Sequence, residues 1–188
     1  MPVQPADKNT HLSRRRLLAL VTCMVSAMLM PASAPARAQA SGSAGVAAHF
    51  AGKHPAAYYQ EAANLFRIGR RDEAVFLFYL GQLRYRSHLR ARPNLPPGGD
   101  AALFASLSES VGRPINEYAF GDIPALERAL TQVLAFDLAY PDTFTAPAEF
   151  PDAVRVNREG LDMLRRRIVA DADKIREQRR ANGLPNRN

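Results

Sequence analysis

The chain has 188 residues, of which 47% are hydrophobic and 23% are charged, so it is long enough for one domain with its own core and is not disordered by composition. A formal net charge of +7 is typical of proteins that bind nucleic acid or membrane surfaces. Five basic residues and one acidic residue among the first 40 account for four of those seven charges. The remaining +3 is ordinary for a small domain, so the sequence predicts no nucleic-acid partner.

Residues 1–38 have the three-part pattern of an export signal peptide. A polar start ends in three consecutive arginines, residues 17–30 are apolar, and Pro31 breaks that run. Small residues then predict cleavage after Ala38 or Ala40. A membrane anchor is the alternative, but the apolar run is short for a bilayer span. We therefore expect a location outside the cytoplasm, either periplasmic or secreted.

Two details of this signal leave alternatives open. Residues 13–18, SRRRLL, resemble the twin-arginine export motif, and the general secretory route fits equally well. Cys23 follows a segment that loosely resembles a lipoprotein box, so membrane contact is predicted only through export or through lipidation at that residue. It is the only cysteine, and the cleaved chain has none for disulfides or metal ligands.

The exported part divides into a flexible linker over residues 39–54, a helical domain over 55–182 and a frayed tail over 183–188. The linker is rich in small residues. Apolar residues then recur at helical spacing on both sides of Gly69, which predicts two helices joined by a tight turn. The second helix is apolar nearly all round, so we expect it to lie between neighbouring helices.

This hairpin resembles a tetratricopeptide repeat or the related Sel1-like repeat. The resemblance rests on the order and spacing of aromatic, small and large apolar residues, namely Tyr58, Ala62, Leu65, Gly69, Ala74, Phe78 and Gly81. These are packing positions, so the resemblance implies an αα-hairpin and no catalytic residue. The closing proline of the repeat is missing, and no second copy follows at the expected period.

Further helices are predicted downstream of a break at residues 93–99, which contain three prolines and two glycines. One helix is expected over residues 101–111. Another starts at the capping residue Asp122, and a long last helix spans about 152–181. The predicted fold is therefore all-α, a compact domain of about five helices around the tetratricopeptide-like hairpin.

Two clusters are candidates for a binding surface. A basic cluster follows the hairpin, and a loop of mixed polar and aromatic residues precedes Asp122. Basic side chains also suit a solvated helix end, and the aromatic residues of the loop also suit a core, so structural roles remain open for both clusters. The candidate residues are Arg84, Arg86, His88, Arg90, Glu117, Tyr118 and Phe120.

The sequence contains no motif for nucleotide binding, metal-dependent hydrolysis or nucleophilic catalysis, and it predicts no catalytic residue, cofactor or metal ligand. We expect a non-catalytic module of the bacterial cell envelope that binds another protein. A periplasmic immunity or inhibitor-type protein that neutralises a toxin, an enzyme with an unrecognised site, and an assembly protein that self-associates through the second helix remain alternatives.

Overall fold

Helices account for 74% of residues 45–188, which are the residues described in this computed structural model, and that range contains no strand. The predicted all-α class is confirmed for this part of the chain, with seven α-helices where about five were expected. Two single turns of π-helix, at Pro97–Ala101 and Ser108–Gly112, flank the short third helix. The helices are α1 (Ala56–Arg67), α2 (Arg71–Ala91), α3 (Ala102–Leu107), α4 (Arg113–Ala119), α5 (Ile123–Ala139), α6 (Pro151–Ala170) and α7 (Ala172–Ala181).

Two local features raise the number of helices. The predicted last helix is broken at Asp171, whose backbone leaves the α conformation at φ −95° and ψ 13°, and this residue separates α6 from α7. The predicted helix over residues 101–111 does not stop at Gly112. Its last turn widens into π-helix and runs on into α4, with Pro114 tolerated in the first turn.

The turn between α1 and α2 has the geometry that the sequence predicts. Gly69 adopts a positive φ of 85°, which an L side chain rarely tolerates. Its N–H donates to the Phe66 carbonyl, and the N–H of Arg70 donates to the Leu65 carbonyl at 2.9 Å. This pair of hydrogen bonds is a Schellman motif, which satisfies the last carbonyls of α1 and reverses the chain.

Helix α2 forms the centre of the domain, in contact with α1, α4, α5 and α6. It approaches α1 so closely that a Cβ at Gly81 would lie 2.5 Å from the Cβ of Tyr58. Tyr58, Phe78 and Leu80 are fully buried around this contact. The expected burial of α2 on several faces is confirmed. The relation of the hairpin to the repeat family stays a prediction.

The packed domain includes more of the chain than the predicted range of 55–182. The predicted linker ends in a helical turn at residues 45–48, and the Tyr58 hydroxyl donates to the Phe50 carbonyl at 3.0 Å. At the other end, the predicted frayed tail makes specific contacts that are described below. The predicted signal peptide and residues 39–44 lie outside the described residues. Within residues 45–188, no helix has the length and apolar character needed to cross a membrane.

We predict opposite outcomes for two alanine substitutions in helix interiors. Gly81→Ala is expected to lower the free energy of unfolding by roughly 1–3 kcal/mol, because the new methyl group would force α1 and α2 apart. Gly160→Ala in α6 is the matched control, because a Cβ added there would meet no atom within 4 Å. Alanine has a higher helix propensity than glycine, so the free energy of unfolding of this variant is expected to rise by up to about 1 kcal/mol. Urea denaturation measures the free energy of unfolding of both variants. An equal loss of stability in the two would contradict the explanation by close contact at Gly81.

Candidate functional site

The basic cluster is the C-terminal half of α2, and helical geometry divides its members between the core and the surface. Arg84 and His88, four residues apart, face inward and are only 3% exposed. Arg86 and Arg90 face solvent, and the Arg86 guanidinium lies over the Phe104 ring. Arg84 and His88 were candidates for a binding surface, and in this structure both are buried.

Arg84 is buried because it holds several elements together. Its Nε donates to Asp137 Oδ1 on α5 at 2.9 Å, and its Nη2 donates to the Tyr140 carbonyl at 2.7 Å. A third donor, Nη1, bonds the Tyr58 hydroxyl on α1. The other oxygen of Asp137 accepts from Arg158 on α6 at 2.8 Å. The result is a buried ion-pair network that joins α1, α2, α5 and α6.

His88 belongs to a second polar cluster, with His54 and Asp100. The ring nitrogen His88 Nε2 lies 2.7 Å from Asp100 Oδ2, and His54 Nε2 lies 3.2 Å from Oδ1. Phe144 packs against both imidazoles, with ring centroids 5.2 Å and 5.1 Å away. The chemistry of this cluster therefore depends on which ring nitrogens carry protons.

The neighbours of the two imidazoles place those protons on Nε2. Arg92 Nη1, which can only donate, lies 2.9 Å from His88 Nδ1, and the Ala56 N–H donates to His54 Nδ1 at 3.2 Å. Both Nδ1 atoms therefore accept, so the proton of each ring lies on the nitrogen that faces Asp100. His88 Nε2 donates to Asp100 Oδ2, whereas the buried His54 Nε2 lies near Oδ1 without a hydrogen-bond partner among the described residues.

This arrangement is unfavourable for metal binding, although three ligand atoms of the cluster lie within 4.8 Å of one another. A metal ion requires a lone pair on the nitrogen that faces it, and metal-bound histidines donate their other N–H to an acceptor. In this cluster the Nδ1 atoms face donors, which is the opposite of the arrangement at a metal-bound histidine. The same engagement leaves neither ring a free basic nitrogen for acid–base catalysis. The geometry fits a carboxylate clamp that fastens residue 100 to α1 and α2.

The segment predicted as a loop is the last turn of α4, residues 116–119, followed by a turn at residues 120–121, and we keep the name loop for residues 116–121. It lies at the opposite end of α2 from this clamp. The Tyr118 hydroxyl donates to Asp72 Oδ1 at 2.9 Å, whereas His88 is 16 residues further along the helix, about 24 Å at the α-helical rise. The structure therefore separates the seven candidate residues into two regions. Arg86 and Arg90 are exposed in the first region, and Glu117 is exposed beside the half-buried Tyr118 and Phe120 in the second.

The loop is held in place on both sides. Tyr79 donates to Asn116 Oδ1 at 2.9 Å, which fixes the end of α4 on α2. Asp122 then caps α5, because its Oδ1 accepts from the Ala125 N–H at 2.9 Å. The predicted capping role of Asp122 is confirmed, and the side chains between these two anchors are presented on a rigid support.

An open cleft of about 470 Å³ lies between this loop and α7, a volume within the usual range of ligand sites. Phe120 is half-buried in its wall, and Glu117 is exposed at its edge. The apolar side chain of Ile175 also lines the cleft, together with residues that carry carboxamide, hydroxyl or guanidinium groups, namely Ser108, Arg113, Asn116, Gln178, Arg179 and Asn182. We call this feature the α4–α7 cleft.

Two of these groups, Ser108 and Arg179, have a buried polar atom without a hydrogen-bond partner among the described residues. Arg179 is 8% exposed, its Nη2 donates to the Pro185 carbonyl at 2.8 Å, and its buried Nε has no hydrogen-bond partner among the described residues. Burial lowers the pKa of Arg179, and the nearby charge of Arg187 lowers it further, whereas Glu117 opposes this effect. A buried guanidinium donor without an acceptor is costly, so Arg179 lowers the stability of the cleft wall.

Sequence reasoning found the loop but missed the side of the cleft that α7 supplies. Gln178, Arg179 and Asn182 lie about 60 residues beyond the loop, in a helix whose charged residues resemble an ordinary solvated face. It also did not single out Asp100 as a site residue. In neither case did a motif of adjacent residues exist, because the partners meet only through tertiary packing.

Comparison of the chain with protein-family models, with curated proteins and with solved structures gave no match. Function is therefore inferred from the geometry of the clamp and of the α4–α7 cleft.

We predict that Asp100 gives the fold a pH-dependent stability. The hydrogen bond from His88 holds the pKa of Asp100 below its ordinary value of 3.8. A carboxyl whose pKa is lower in the folded state stabilises the protein above the unfolded pKa, and that contribution is lost as pH falls through the folded value. The difference in urea midpoint between the wild type and Asp100→Asn should therefore narrow as pH falls from about 5 to about 2.

Asp173→Asn is the control for this measurement, because the Asp173 side chain is fully exposed in its pair with Arg176 and such pairs contribute little. Its midpoint should stay near that of the wild type throughout. A constant difference for Asp100→Asn across the pH range would contradict the assigned hydrogen bond.

Proposed function

We propose that the protein is a non-catalytic binding module of the bacterial cell envelope, and that it binds another protein through the α4–α7 cleft. The observation that carries this proposal is the cleft itself, an open site of about 470 Å³ with a half-buried aromatic side chain and a buried, incompletely bonded arginine. Aromatic and arginine side chains are the residues that most often dominate the energy of protein interfaces.

The other polar groups of the described residues support a binding function over a catalytic one. Arg84 and Asp137 are committed to a buried ion pair, and both ring nitrogens of His88 are engaged. An active site requires titratable groups that converge on an accessible space, whereas these converge on one another. Neutralisation of a toxin, the alternative considered from sequence, is one case of such binding.

The α1–α2 hairpin has a supporting role in this proposal. Its Schellman turn at Gly69 and the close contact at Gly81 are features that a tetratricopeptide-like hairpin also requires. We propose that relationship for the hairpin alone, as a platform for α4 and the loop. Within residues 45–188 a repeat array is not part of the proposal, since only one pair of helices has this pattern.

The cleft is tested by the double variant Glu117→Ala/Gln178→Ala. Both side chains are exposed, line the cleft and take part in none of the hydrogen bonds described above, so the thermal midpoint should stay within a few degrees of the wild type. Capture from envelope extracts, quantified by mass spectrometry, should recover the main partner at least about tenfold less well with this variant, an effect of about 1.4 kcal/mol.

The matched control is Arg86→Ala/Arg90→Ala, which removes two exposed side chains from the other candidate surface. We expect this variant to retain the partner. Loss of the partner with the arginine variant, and retention with the cleft variant, would move the binding surface to the C-terminal half of α2 and refute the assignment to the cleft.

Export is tested separately by the mature N-terminus. Cells that express the full chain should yield protein beginning after Ala38 or Ala40, in the periplasm or the medium, because residues 1–38 carry the signal pattern. Replacing Arg14 and Arg15 by Lys should block export only if the twin-arginine route is used. Intact chain in the soluble cytoplasmic fraction would refute the proposed location.

A further inference from the structure

The segment after α7 turns back and binds the loop around Tyr118. Gly183 adopts a positive φ of 71°, and its N–H donates to the Arg180 carbonyl. The Leu184 N–H donates to the Arg179 carbonyl at 2.9 Å. This Schellman motif directs residues 184–188, which we call the strap, back across the end of α4. The fraying expected at residues 183–188 stays a prediction.

Arg187 anchors the strap by three different contacts. Its backbone N–H donates to the Gly121 carbonyl at 2.7 Å, and its side-chain Nη2 donates to the Tyr118 carbonyl at 2.8 Å. Its guanidinium carbon lies 3.5 Å from the centroid of the Tyr118 ring, a close cation–π contact. The loop thus offers the guanidinium an aromatic face and one carbonyl oxygen, that of Tyr118, while the Gly121 carbonyl binds the backbone of the strap.

The surroundings of Arg187 are shaped for such a group. The Tyr118 ring is held in place by its hydroxyl, which donates to Asp72 Oδ1, and Asp72 and Glu73 line a pocket of about 90 Å³ beside Arg187. A Cβ at position 121 would lie 3.1 Å from Arg187 Nε, so a residue larger than glycine would crowd the guanidinium. Two cations oppose this attraction, Arg71 at 5.4 Å from the same ring and Arg179 on α7.

Arg187 nevertheless remains exposed to solvent. Its side chain borders the small pocket beside Tyr118 and is open to solvent, unlike the buried Arg84, so another guanidinium could reach the same ring. The strap contributes one more bond to the cleft wall, from Arg179 Nη2 to the Pro185 carbonyl. The arginine position and the α4–α7 cleft are therefore parts of one continuous surface.

We propose that the loop formed by residues 116–121 is a recognition site for an arginine in an extended segment of the partner protein, and that Arg187 of the strap occupies this site when the partner is absent. The proposal rests on the proposed function for the statement that the partner is a protein. The strap is a tethered competitor, and short tethers give effective concentrations in the millimolar range. A partner displaces it by adding contacts in the cleft, with Glu117 and Gln178, that the strap does not make.

The test uses the full exported protein as Arg187→Ala, which removes the guanidinium from the Tyr118 ring and carbonyl but keeps the backbone hydrogen bond of residue 187 to Gly121. The fold should stay intact because the side chain is exposed. The probe is the peptide acetyl-Pro-Asn-Arg-amide, which copies residues 185–187. Amide resonances of Tyr118 and Gly121 in ¹⁵N NMR spectra report binding. We expect saturable shifts in the variant, and an apparent affinity at least about fivefold weaker in the wild type, where the strap competes.

Two controls make the result specific. The same peptide with citrulline in place of arginine has nearly the same shape without the charge, and it should produce no saturable shift. Arg180→Ala removes an exposed arginine from α7 that makes none of the contacts with the loop, so this variant should behave as the wild type.

The outcomes separate this inference from the proposed function. Equal shifts with the arginine and citrulline peptides, or no shift in Arg187→Ala, would overturn the inference and leave the strap as a structural seal. Partner capture that depends on Glu117 and Gln178 would survive that result. If the arginine peptide binds but no partner depends on the cleft, the recognition site stands and the proposed function fails.

Discussion

The buried pairing of Arg84 with Asp137 is the constraint on which the rest of the domain depends. Each ion alone would be costly to remove from water, so the helices that carry them must pack in the arrangement that brings the two charges together. The remaining donors of Arg84 bond the Tyr58 hydroxyl and the Tyr140 carbonyl. Arg158 donates a hydrogen bond to the second carboxylate oxygen of Asp137. Apolar burial favours many packings of these helices, whereas this network is satisfied in only one.

The same physical rule applies to both polar regions. In the clamp, the donors around Asp100 and His88 meet acceptors, and this closure stabilises the chain after α2 without leaving a reactive group. At the α4–α7 cleft, Arg179 keeps a buried donor unmatched, and Glu117 remains in solvent. Each region nevertheless keeps a buried donor without a partner, His54 Nε2 in the clamp and Arg179 Nε at the cleft, so the proposed binding role of the cleft rests on its exposed groups.

Sequence reasoning predicted what depends on neighbours along the chain. The turn at Gly69, the cap at Asp122 and the burial of α2 follow from local residue types, and the structure has all three. The sequence did not reveal which charged side chains pair with residues on other helices. Arg84 and His88 were indistinguishable in sequence from Arg86 and Arg90, because position on the helix face decides burial and the residues that pair them lie on other elements.

The contacts of the strap could not be predicted from its own sequence either. A polar sequence after a helix-ending glycine is typical of a frayed end, and nothing in residues 184–188 alone indicates otherwise. Gly183 sets the direction of the strap through its positive φ, and Arg187 then contacts the Tyr118 ring and carbonyl. Because that carbonyl belongs to a loop fixed by Tyr79 and Asp122, the receiving geometry exists whether or not the strap is bound. A site that is preorganised in this way favours any arginine presented in the same extended form, and affinity then depends on what else the segment brings to the cleft.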